Sequence, residues 1–73
     1  MQPEDIQRLE RIAGTCQDGD ICPTIYRTDR GTIVVQGNEL SAGSLRLITL
    51  PGGETVAEIP ESLLLEAARA LSA

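Results

Sequence analysis

The chain has no histidine, no lysine, no tryptophan and no phenylalanine, and only one tyrosine, Tyr26. Histidine is the usual proton shuttle near neutral pH and the commonest metal ligand. Lysine supplies Schiff bases and point-charge contacts to phosphate, and aromatic rings supply stacking platforms for bases and cations. Most enzyme and nucleic-acid readings therefore lose their parts at the outset. What the composition describes is a small acidic domain of mixed architecture, for which contact with another protein is the expected use.

Seventy-three residues make one domain, spanning 1–73. That is close to the lower size limit for a self-sufficient core, since such a chain leaves roughly 40% of its unfolded surface exposed. The 41% hydrophobic content argues against disorder. With a single aromatic, the core must be built from Ile, Leu, Val and Ala. A core that thin makes self-association, as a homodimer, a reasonable way to hide more apolar surface.

Six arginines stand against eleven acids, giving a net charge of −5. Duplex binding needs a basic stripe that releases phosphate counterions, so no direct nucleic-acid partner is expected. Anionic membrane is disfavoured on the same ground, and no apolar run approaches a membrane span. Met1 to Asp5 lacks the basic-then-apolar pattern of a secretory leader, and the expected location is cytoplasmic.

The first segment reads as a helix from Pro3 to Ala13. Pro3 suits a first helical position, Glu4 and Asp5 the positive end of the dipole, and Gly14 a left-handed stop. At 100° per residue Ile6, Leu9, Ile12 and Ala13 share one arc. A loop from Thr15 to Pro23 follows, with Cys16, Cys22 and the turn signal Asp18-Gly19-Asp20.

The clearest element is a hairpin over 24–37. Thr24-Ile25-Tyr26-Arg27-Thr28 and Thr32-Ile33-Val34-Val35-Gln36-Gly37 are rich in β-branched residues. Asp29-Arg30-Gly31 between them fits a type I turn closed by a left-handed glycine. With Thr28 opposite Thr32, Arg27 faces Ile33, Tyr26 faces Val34 and Ile25 faces Val35. Ile25, Ile33 and Val35 then share a core face, and Tyr26 and Val34 share the other with threonines and Gln36. Arg27, on the core face, must snorkel or find an acidic partner.

Asn38 to Ser44 reads as a connection. Leu45 to Leu50 predicts a third strand, with a helical turn in part of it as the alternative. Pro51-Gly52-Gly53 predicts a type II turn, and Glu54 to Ile59 a fourth strand. Pro60 opens a final helix with Leu63, Leu64, Ala67, Ala68, Ala70 and Leu71 on one arc. Leu65 points the other way, beside Glu61 and Ser72, and Glu66 can reach Arg69.

Few constellations carry chemistry. Cys16 and Cys22 read as two reduced thiols in a loop, with a disulfide between them as the alternative. Without histidine, a metal site would have to recruit Asp18 and Asp20, hard oxygen donors that suit zinc poorly beside thiolates. Their spacing also lacks the ligand ladder of a calcium loop. Neither a metal nor a cofactor is expected. Gly52-Gly53 lacks the lysine and helix start of a phosphate cradle, and Glu54 and Glu58 read as exposed strand residues. Asp29 can bond the turn backbone, while Arg30 at the hairpin tip presents a planar fork suited to carboxylates. Leu65, Tyr26 and Val34 are the remaining candidates, so Tyr26, Arg30, Val34 and Leu65 form the expected partner-binding set.

Pro23 to Gly37, then Leu50-Pro51-Gly52-Gly53-Glu54-Thr55 and Ile59-Pro60 before an Ala/Leu-rich helix, resemble a group of short actinobacterial proteins of unknown function. The resemblance covers Cys22 to the carboxyl end. Such proteins tend to be encoded near helix-turn-helix regulators, which implies an accessory regulatory role and brings no catalytic or binding residues with it. The Cys-led strand pair followed by a helix is also similar to an actinobacterial family linked to development. That family carries a tryptophan in its final helix, where Leu64 or Leu65 stands here.

The expected fold is α+β: an N-terminal helix, a small, mostly antiparallel sheet of three or four strands, and a C-terminal helix packed on the sheet. The expected function is a non-enzymatic protein-interaction or regulatory accessory module, working with a transcriptional regulator. Its alternatives are a cysteine-dependent redox or transfer activity using Cys16 and Cys22, or a small-molecule sensor built on an apolar pocket.

Overall fold

A computed structural model of the chain describes residues 5–14 and 22–72. Three strands form one antiparallel sheet: β1 (Leu9–Ala13), β2 (Thr24–Thr28) and β3 (Ile33–Gln36), in the order β1-β2-β3. A one-turn helix, α1 (Ala42–Leu45), follows, and α2 (Glu61–Ser72) closes the chain.

The hairpin has the predicted register, with Arg27 opposite Ile33, Tyr26 opposite Val34 and Ile25 opposite Val35. Its turn is closed by Gly31 at φ 76, and the Thr28 amide donates to the Thr32 carbonyl at 2.9 Å. The polar organiser of the turn is Thr28, not Asp29. Thr28 Oγ1 accepts from the amides of Arg30 at 3.0 Å and Thr32 at 3.2 Å, and pairs with Thr32 Oγ1 at 2.7 Å. Asp29 Oδ1 turns away to accept the Gln7 amide at 3.3 Å.

The expected N-terminal helix is not formed. Leu9–Ala13 is a strand paired to β2, with Leu9 opposite Thr28, Glu10 opposite Arg27 and Arg11 opposite Tyr26. A bulge then slips the register, so that Ala13 and not Ile12 meets Ile25. That extra residue explains the misleading pattern, because a bulge breaks the period of two and leaves apolar positions at a spacing that mimics a helical arc. Eleven residues are also marginal for a helix on propensity alone, whereas pairing satisfies the free edge of β2.

Residues 45–50 are not a strand either. Ser41 caps α1, its hydroxyl accepting the Ser44 amide at 3.2 Å. The chain then tightens through Leu47 N–H to Ser44 C=O and Ile48 N–H to Leu45 C=O, both 3.1 Å. Leucine is a strong helix former, and this local bonding outweighs the two β-branched residues of the stretch. The turn at 51–54 does form, with Glu54 N–H bonded to Pro51 C=O and Gly53 at φ 88. The expected fourth strand reduces to one bridge, in which Asn38 and Glu58 exchange two 2.9 Å hydrogen bonds.

α2 packs on β1 and β2. Ala13, Ile25, Leu63 and Ala67 make up the core, with Ile12 and Ile59 packed against it. Ile25 is 1% exposed, but Ile33 and Val35, expected on the same buried face, remain 43% and 42% exposed because the helix does not reach β3. Arg27 meets its acidic partner directly across the sheet: Nη2 lies 3.1 Å from Glu10 Oε1. Both side chains are well exposed, so the pair contributes about 0.2–1 kcal/mol. At the other end of β1, Glu66 Oε2 on α2 accepts the Gly14 amide at 3.1 Å and fastens helix to sheet, in place of the expected reach to Arg69.

Candidate protein-interaction surfaces

Side chains alternate across a strand, and the register places Leu9, Arg11, Tyr26, Thr28, Val34 and Gln36 on the sheet face opposite α2. Tyr26 sits in the middle strand between Arg11 and Val34 and is half-buried. Its hydroxyl donates to Gln36 Oε1 at 3.4 Å. Gln36 Nε2 in turn donates to the Cys22 carbonyl at 3.2 Å, which also accepts Thr24 Oγ1 at 2.9 Å. The polar tip of the tyrosine is thus tied to the base of the hairpin. Ile6, Leu9 and Val34 line an open hollow of about 490 Å³ on this face.

Of the four residues expected to meet a partner, the structure brings Tyr26 and Val34 together as a cross-strand pair. Arg30 lies exposed at the hairpin tip, beyond the end of that face. Leu65 does not join them. It stands 57% exposed on α2, which covers the other side of the sheet, and its neighbour Leu64 is as open at 60%. The arc expected to be buried on α2 narrows to Leu63 and Ala67.

Sequence reasoning missed an exposed apolar stretch. Leu45, Leu47, Ile48 and Leu50 are all exposed, Leu47 to 86%. They lie between the partners of the Asn38–Glu58 bridge, and α1 packs against none of the other named elements. The signal was present in Leu45-Arg46-Leu47-Ile48-Thr49-Leu50: two of its apolar residues are adjacent, so no strand could have put all four on one buried face. Beside them, Leu40, Ile48, Val56 and Ala57 line an open groove of about 580 Å³ rimmed by Glu39 and Glu58.

Cys22 is disulfide-bonded rather than a reduced thiol. Cys16, Asp18 and Asp20 lie outside the described residues. Among the described residues no three acids or thiols are grouped so as to hold a metal ion, and no helix is long and apolar enough to cross a membrane. Glu58 is held through its backbone by the bridge and Glu54 by the 51–54 turn, both with exposed side chains.

What the geometry defines as a class is a three-stranded antiparallel sheet with one helix on one face and a mixed face, with Leu9, Tyr26 and Val34 among polar side chains, on the other. No protein-family model, curated protein or solved structure matches the chain.

Proposed function

We propose that this chain is a non-enzymatic protein-interaction module, an accessory that works by docking on another protein. The observation that supports it is the ratio of exposed to buried apolar side chains. Among the described residues four form the core, whereas Leu45, Leu47, Ile48 and Leu50 stand open on a single stretch. Monomeric proteins rarely leave contiguous apolar ground of this kind without a use for it.

The resemblance to proteins encoded beside helix-turn-helix regulators makes such a regulator the first partner to try. The cysteine-dependent alternative has less support, because a bonded Cys22 offers no thiolate at that position. That same bond pulls against the cytoplasmic expectation, since disulfides persist chiefly in oxidising compartments. The deciding experiment is capture from the native cell with wild-type protein beside Leu47→Asp/Ile48→Asp. A partner retained by wild type and lost by the variant is the expected outcome. Equal retention by both would remove the 45–50 stretch as the docking surface.

A further inference from the structure

We infer that the chain pairs with a second copy of itself through the outer edge of β3, making one six-stranded sheet across a twofold axis at Val34. This deepens the protein-interaction reading and rests on it, with a second copy of the chain as the partner. The Thr28 amide bonds the Thr32 carbonyl, and bonded pairs alternate along an antiparallel ladder. Tyr26/Val34 and Thr24/Gln36 are therefore the bonded pairs of the hairpin, and the N–H and C=O groups of Ile33 and Val35 point outward. Among the described residues β3 pairs with β2 alone, and no backbone hydrogen bond from another segment reaches those four groups.

The two edges of the sheet are not alike. β1 carries the charges of Glu10 and Arg11 and a bulge, all devices that discourage edge pairing. Thr32 to Asn38 carries no charge and no proline. On a chain of net charge −5 this is where two copies can approach with no like charges in register.

The register follows from which groups are free. Setting two β3 strands antiparallel about Val34 puts Ile33 opposite Val35 of the second copy. Each N–H of that pair then donates to the other's C=O, and the symmetry repeats the exchange, for four hydrogen bonds. Ile33 and Val35, more than 40% exposed, meet their counterparts on the α2 face, beside Val56 and Ile59, which with them line an open hollow of about 470 Å³. Val34 meets Val34 of the second copy on the opposite face, next to Tyr26. Both faces of the sheet gain apolar cover from one contact.

The test is the mass of the full chain in solution, by sedimentation equilibrium over a wide dilution series. Wild type is expected to move from monomer to dimer with concentration. Val34→Lys, which sets two like charges across the axis, is expected to stay monomeric, as is Val34→Glu, while an equimolar mixture of the two regains the dimer. Val35→Pro removes an outward donor that the monomer does not use and gives a second way to lose the dimer. Circular dichroism at high dilution checks that each variant is folded. A wild type that remains monomeric throughout, or a dimer untouched by Val34→Lys and Val35→Pro, overturns the proposal. Neither result bears on the 45–50 stretch, whose failure is read separately from partner capture.

Discussion

Gly31 and Gly43 have the same side chain and opposite roles. Gly31 holds φ 76, a region closed to β-branched residues, with open space around its α-carbon. Strain alone should therefore make Gly31→Val cost more than about 1 kcal/mol, a fall of roughly 4–8 °C in thermal midpoint for a domain of this size. Gly43 lies inside α1, where an added β-carbon would meet nothing within 4 Å, so Gly43→Ala should leave the midpoint unchanged or raise it slightly. Equal losses in the two variants, read by thermal melts, would mean the turn is closed in some other way. Turn chemistry is legible in sequence because it depends on neighbours in the chain. That is why the register from Ile25/Val35 to Arg27/Ile33, and the pairing of Tyr26 with Val34, could be read in advance. The role of the Thr28 hydroxyl could not, since Asp29 is the more usual cap and was drawn off by Gln7.

Among the elements, what failed was anything decided at long range. Leu9–Ala13 has the spacing of a helix, but β2 offered it a ladder and a bulge absorbed the mismatch. Carbon chemical shifts of residues 9–13 should accordingly be strand-like, with a short Arg11–Tyr26 contact between strands. Helical shifts there would restore the local reading. α2 was legible as an element, yet the width of its buried stripe was not, because that depends on how much sheet lies beneath it. Leu63→Ala should cost about 2–4 kcal/mol, since Leu63 is buried among Ala13, Ile25 and Ala67. Leu64→Ala and Leu65→Ala should each cost less than about 0.5 kcal/mol. Denaturant midpoints for the three variants separate the buried position from its neighbours. The candidate interface shares this division: Tyr26 and Val34 follow from hairpin register, whereas the separation of Leu65 from them follows from which face the helix chose.

For the whole molecule, charge and apolar exposure act together. A net charge of −5 opposes the clustering that so much open aliphatic surface favours, and it carries the prediction that the chain does not take up nucleic acid. Titration with duplex or single-stranded DNA at about 150 mM salt should give no micromolar binding, and a salt-dependent isotherm would contradict that. Leu47→Asp should leave stability within about 0.5 kcal/mol of wild type in a thermal melt, because an 86% exposed side chain has little burial to lose.

The Asn38–Glu58 bridge holds the two ends of an excursion side by side with a pair of hydrogen bonds. Everything from Ser41 to Glu54 hangs from that clasp, and α1 within it touches no other named element. Such a segment is a cassette. Changes of its length and sequence are expected to leave the clasp, sheet and closing helix as they are, which thermal melts of loop-length variants check. Grafting a foreign peptide between 41 and 54 turns the remainder into a small display scaffold, with the insert presented away from the core and both of its ends already fixed.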